Sequence, residues 1–291
     1  LPALEIGLEY ALTNPQRWDD KYSLVKRPHS CDTWDFNIGE TTDMKYFVIA
    51  NCDQSGYYQA FELMSLMYHH IGNENRSRYW SEQASAYKDR VNRLLWDGKK
   101  YLHHFHLENI EHKDFDENNQ LSMGNTWAIV RGLTNIERSR AIISEYRDRH
   151  IRTKDTYPWW SLQPGYPNRL NYYSGAYLSQ GGYANGGLMP WVGGELCFGA
   201  FLCGEEKYGL TLFLDYWKML KENNNQVYTW YWPNGKPGIR TSNTTTHCGW
   251  GMAEWVRAIY EGLAGVVSIG ECFHEVQLSP RWPITNLNKI K

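Results

Sequence analysis

The stretch most suited to chemistry is Cys31-Asp32-Thr33-Trp34-Asp35-Phe36, where two carboxylates stand three residues apart with a tryptophan between them. An apolar ring beside a carboxyl disfavours its charged form, so the group keeps its proton closer to neutral pH and can donate it. Trp34 and Phe36 flank Asp35 in this way. Cleavage of a glycosidic bond needs such a neutral carboxyl to protonate the leaving oxygen, together with a second carboxylate. Asp35 is therefore the candidate general acid, and Asp32 a candidate contact for a substrate hydroxyl. The plainer alternative for either is to cap the following helix, a position Asp favours.

Other residues could complete such a site. Asp53, in Asn51-Cys52-Asp53-Gln54-Ser55-Gly56-Tyr57, opens a predicted helix; it fits a helix cap first and a sugar-hydroxyl contact second, with Tyr57 one turn on. Glu195 lies one turn beyond Trp191, and Glu254 sits in Gly251-Met252-Ala253-Glu254-Trp255. His247, in Thr246-His247-Cys248-Gly249-Trp250, can orient a hydroxyl or simply pack in its loop.

Aromatic content is unusual, with 14 Trp and 21 Tyr; Trp stands at about three to four times its average usage. Many rings adjoin Gly, Asn or Pro, as in Tyr157-Pro158-Trp159-Trp160 and Trp230-Tyr231-Trp232-Pro233. Flat rings with polar groups at the edge are what holds a sugar. Trp159, Trp160, Trp250 and Asn185 are expected on that basis to face substrate, while most remaining rings fill a helical core.

Net charge of −2 and a sequence pI near 6.6 leave no footprint for nucleic acid or anionic lipid, so a small neutral partner is expected. Six cysteines form no CxxC pair and no metal-ligand rhythm with histidine, so reduced thiols and no metal or organic cofactor are expected. No apolar run approaches the ~20 residues of a membrane span, and the first residues carry no basic-then-apolar signal. The lack of an initiating Met points to a processed or trimmed chain, and the compartment, cytoplasmic, periplasmic or secreted, stays open.

Helices must position these groups. Residues 56–71 place Ala60, Met64, Met67 and Ile71 on one face, with a stop at Gly72-Asn73. Residues 74–95 place Trp80, Ala84, Tyr87 and Val91 on a stripe, and 101–105 reads as a short extended piece. Further helices are predicted over 126–133, 137–147, 188–202, 207–220 and 251–263. Long Gly-, Asn- and aromatic-rich segments at 153–187 and 223–250 separate them, and loops of that length are usually functional. Helical hairpins that each bury one face can close into a ring, with the site at the long-loop end. Residues 1–265 form this predicted helical domain, and the alternating run 273–278 starts a β element over 266–291.

Several of these stretches resemble known enzymes. Asp32-Thr33-Trp34-Asp35 is similar to the Asp-x-Trp-Glu signature of glucoamylases, Trp34-Asp35-Phe36 matches the Trp-Asp-Phe of trehalases, and the segment resembles the Asp-Trp-Asn-Asp of cellobiose-type phosphorylases. Asn92 through Trp96-Asp97-Gly98-Lys99-Lys100-Tyr101, Gln120 through Trp127-Ala128, Asn185-Gly186-Gly187 through Trp191, and Trp255 through Gly265 resemble further motifs of the six-hairpin glycosidase superfamily, in the same order. The resemblance implies an all-α, (α/α)6 barrel of helical hairpins, incomplete in this chain, with the family's acid on or beside position 35. It also implies an inverting glycoside hydrolase gripping a sugar with Trp34, Tyr57, Trp159, Trp160, Asn185, Trp191 and Trp250.

The second carboxylate is not carried over. Glucoamylase-like and invertase-like relatives keep it in a Glu-x-x-Asp segment where this chain reads Val227 through Gly235, and that Glu is missing. Glu195 replaces it as the candidate base, with Glu254 next. Phosphorylase relatives hold phosphate with a Thr-Gly pair where this chain has Trp250-Gly251, which favours water as the acceptor. A phosphorylase, or an inactive carbohydrate-binding barrel, is the alternative.

Overall fold

The computed structural model describes residues 1–28, 46–170, 178–239 and 244–281 of the 291. The chain forms two compact units: Leu1–Leu133 with Tyr166–Tyr173, and Thr134–Gly165 with Ser174–Lys291. Both are built mainly from helices. No helix among the described residues is long and apolar enough to cross a membrane.

The first unit begins with α1 (Pro2–Thr13), which the sequence pattern does not reveal. Strand pairs β1 (Trp18–Asp19) with β2 (Leu24–Val25) and β3 (Val48–Ala50) with β4 (His104–His106) are short and antiparallel. Between β3 and β4 runs the hairpin of α2 (Asn51–His70) and α3 (Glu74–Leu95). Gly72, at φ 75°, breaks the first helix. Asn73 caps the second by accepting from the Arg76 backbone N–H at 3.1 Å.

The stripe predicted on α3 is the observed one: Trp80, Ala84, Tyr87, Val91 and Leu95 are fully buried. On α2 the predicted face is rotated. Tyr58, Phe61, Met64 and Tyr68 are buried, whereas Ile71 is 64% exposed. The larger rings take the core, where Phe61 stacks on Trp80 at 5.5 Å and meets Tyr87 edge-on at 5.2 Å. Ala60 and Met67 instead border an apolar groove with Ala3, Leu4 and Leu8 of α1. Glu5 of α1 ties the hairpin together, accepting from Tyr68 Oη (2.6 Å), Arg76 Nε (2.8 Å) and Trp80 Nε1 (2.9 Å). Strand β5 (Leu121–Ser122) leads into α4 (Gly124–Val130), whose Asn125 is fully buried and bonded both ways to the Tyr101 backbone.

The second unit contains α5 (Ile136–Thr153), β6 (Leu162–Gln163), α6 (Pro190–Leu202), α7 (Glu206–Glu222) and α8 (Gly249–Arg257), the last continued by a π-helical turn, Ala258–Leu263. Nearly all of α6 is buried, so it is apolar all round and shows no stripe. Gly193 and Gly194 let it approach Trp159 and α8 closely. A β-hairpin, β7 (Val266–Ser268) with β8 (Val276–Leu278), follows. The described Cys52, Cys197, Cys203, Cys248 and Cys272 are free thiols.

Candidate active site

In the first unit, α2 carries two of the predicted residues into one place. Asp53 and Tyr57, one turn apart, line a cleft of about 420 Å³ with Leu8, Cys52, Gly56, Ala60, Trp127 and Arg131. Asp53 is not the helix cap: α2 begins at Asn51 behind Ala50, with no side-chain cap. Its carboxylate pairs instead with the Arg27 guanidinium at 3.2 Å. Burial pushes the Asp53 carboxyl above its ordinary range, against the pull of Arg27. Burial, with the Asp53 charge behind it, also raises Tyr57. The Arg131 guanidinium lies 4.5 Å from the Trp127 ring centroid, so the cleft joins an aromatic ring, a cation, a carboxyl and a phenol. Trp127 and Arg131 are members of this cleft that sequence reasoning does not single out as site residues.

In the second unit, the loop clusters around Trp159 and Trp230 bury their rings. Trp159 and Trp160, expected as sugar platforms, are fully buried, as are Trp230 and Tyr231. Tyr157 stacks on Trp159 at 4.3 Å, Trp255 meets Trp159 edge-on at 5.3 Å, and Tyr216 stacks on Trp255 at 4.3 Å. Trp160 donates Nε1–H to Asp155 at 2.7 Å and borders a small cleft of about 240 Å³ with Gln163, Gln180 and Pro233. Covering a large ring removes more apolar surface from water than any other side chain can offer, so Trp159 packs on Tyr157 of its own loop and against Tyr216 and Trp255 of the helices.

Those loops fix the start of α6. Leu188 exchanges both backbone hydrogen bonds with Tyr231 at 2.8 Å, and the Met189 N–H donates to the Trp159 carbonyl at 2.7 Å. Asn185, another expected sugar contact, is fully buried and donates Nδ2–H to the Leu178 carbonyl at 2.9 Å. Trp191, in the first turn of the helix that follows, is half-buried. Glu195 lies further along α6 and is only 6% exposed. The Tyr146 phenol is raised by burial, with the Glu195 charge adding to the effect, which places that carboxylate near the tyrosine.

Glu254 is on the facing helix α8, its carboxylate 3.8 Å from Arg257 Nη1. Trp250 is 58% exposed in the first turn of α8, and the exposed His247 bonds to Thr246 Oγ1 at 2.8 Å. Asp32, Trp34 and Asp35 lie outside the described residues.

An all-α chain of helical hairpins with long connecting loops has the α/α-barrel type of fold, and glycoside hydrolases share it. Among solved structures, the GH63 mannosylglycerate hydrolase from Thermus thermophilus, in complex with glucose, is 11% identical with a TM-score of 0.52, over 75% of this chain and 46% of that one. An uncharacterized conserved protein from the same organism matches as well, at 11% identity and TM-score 0.52, over 75% and 48%. A structure named sialidase is 11% identical with a TM-score of 0.65, over 96% of this chain and 25% of that one. The chain thus spans about half the length of the hydrolase. No family model and no curated protein matches the sequence.

Proposed function

We propose that this chain is part of a glycoside hydrolase that cleaves an oligo- or polysaccharide with inversion, Asp35 protonating the leaving oxygen and Glu195 activating water. The observation that supports it is Glu195 itself. It places a carboxylate, only 6% exposed, in an otherwise apolar helix that follows the long aromatic-rich loop. The fold that carries it is shared with a glycoside hydrolase.

In this reading Asp53 and Tyr57 take sugar hydroxyls, and Trp191, His247 and Trp250, with Asp32 and Trp34, border the substrate. Trp159, Trp160 and Asn185 act as the frame that holds α6.

Asp35→Asn and Glu195→Gln, assayed on a panel of glycosides, each lower turnover by about 10²–10⁴, the usual contribution of a general acid or base. Proton NMR of the first sugar released shows the inverted anomer. Undiminished turnover in both variants would refute the assignment. Turnover that requires inorganic phosphate would transfer the reading to phosphorolysis.

A further inference from the structure

A second polar centre lies in the first unit at β4. His104 and His106 are two apart on the strand and so share a face, with their Nε2 atoms 3.1 Å apart. Glu117, which opens the 3₁₀ turn Glu117–Asn119, brings Oε2 to 2.5 Å from His106 Nε2 and 3.5 Å from His104 Nε2. The three side chains are only 1%, 13% and 12% exposed.

Two imidazole nitrogens and a carboxylate oxygen that converge on one point are a ligand set. Tetrahedral zinc, with ligand atoms about 2.0–2.1 Å away, separates neighbouring donors by about 3.3 Å; the observed distances bracket that value. A third imidazole stands at the edge of the trio, with His112 Nε2 3.5 Å from the other Glu117 oxygen. An adjoining cleft of about 580 Å³, lined by His106, His112, Glu117, Asp114 and Asp116, gives an ion a path in and room for a water ligand. Imidazole donors select transition ions over Mg²⁺ or Ca²⁺.

We propose that His104 Nε2, His106 Nε2 and the Glu117 carboxylate bind a divalent transition-metal ion of the zinc class. The ion clasps the 107–117 segment to the β3–β4 pair, and β3 runs directly into α2 with Asp53 and Tyr57. Its role is structural, and it stands independently of the glycosidase reading.

The test is calorimetric titration of the EDTA-stripped full chain with zinc chloride, alongside thermal melting. One ion binds per chain, and the Tm rises with zinc concentration. His106→Ala and Glu117→Gln weaken binding by at least ~100-fold, the upper end of what loss of an outer partner costs. A control variant at the exposed His69 and His70 binds as the parent does. Absence of binding, or binding unchanged in both ligand variants, overturns the proposal. Should those variants fail to fold, zinc-edge X-ray absorption of the parent decides. Nitrogen and oxygen neighbours at about 2.0–2.1 Å support the site, and sulfur at about 2.3 Å overturns it.

Discussion

Gly193 and Gly194 stand early in α6, where glycine costs a helix about 1 kcal/mol each relative to alanine. The packing explains their presence. A Cβ on Gly194 would lie 2.7 Å from the carbonyl carbon and Cβ of Glu254 and 2.8 Å from the Trp255 nitrogen, all on α8. Carbon atoms rest at about 3.5–4.0 Å, so Gly194→Ala must push the two helices apart by roughly 1 Å. The obstructing atoms are mostly backbone and cannot rotate aside. Overpacking of this kind costs about 1–3 kcal/mol, from which about 1 kcal/mol of regained helix propensity is subtracted. The expected outcome is a loss of up to about 2 kcal/mol, read in a thermal melt as a Tm lower by up to about 6 °C for a chain of this size. Gly7 provides the internal control: it lies within α1, and nothing stands within 4 Å of its Cβ position. Gly7→Ala therefore gains about 0.5–1 kcal/mol. If Gly194→Ala also raised the Tm, the close approach of α6 to α8 would be refuted, and with it the account of how Glu195 is held.

Glu5→Ala removes the acceptor shared by Tyr68, Arg76 and Trp80; the buried Trp80 N–H left unsatisfied costs about 1–3 kcal/mol, measurable by urea denaturation at pH 7. Burial alone would raise the Glu5 carboxyl, but its hydrogen bonds outweigh burial and hold it below its ordinary range. The stability it gives is therefore present above the unfolded pKa and lost as the pH falls through the folded one, so the gap between parent and variant closes in acid. Asp53 has the opposite sign. Its raised folded pKa means that the charged form is disfavoured in the fold, so its stability is fully present below the unfolded pKa and lost as the pH rises through the folded one. Asp53→Asn is expected to be more stable than the parent at pH 7 and to lose that advantage in acid. A stability difference independent of pH would show that Asp53 is not desolvated.

The helices legible in the sequence are those whose burial pattern is periodic. The helix expected over 74–95 is α3, Glu74–Leu95, because an asparagine cap and a stripe of buried side chains both point to it. The start of α2 is five residues earlier than the apolar pattern indicates. Asn51, Gln54 and Ser55 look like loop residues, yet all three are fully buried. Gln54 donates Nε2–H to the Val25 carbonyl at 2.9 Å and accepts from Tyr87 Oη at 2.5 Å. Such partners are supplied by distant segments, and no local pattern announces them. The same limit governs the loops. Trp159 and Trp230 stand beside proline or tyrosine in glycine-rich stretches, which reads as display. The structure buries Trp159 against α6, α7 and α8, and Trp230 against Trp232 and Gly238.

The site divides along a similar line. Residue type and spacing mark which groups can do chemistry, but desolvation decides which of them do, and desolvation is a property of neighbours. Asp53 reads first as a cap because it opens a helix; Arg27, 26 residues away in sequence, claims the carboxylate instead. Glu195 and Glu254 are both candidates by spacing. In the structure they differ in exposure: Glu195 is 6% exposed on an apolar helix, and the half-buried Glu254 lies 3.8 Å from Arg257. The alternation His104-Phe105-His106 puts two imidazoles on one face of a strand, but the carboxylate that completes the trio returns from 11 residues further on. A carboxylate near an imidazole pair in sequence is common; one driven against it in a largely buried place costs desolvation energy that a proton or a metal ion must offset. Titrating the stripped protein with zinc asks which of the two this centre is built to hold.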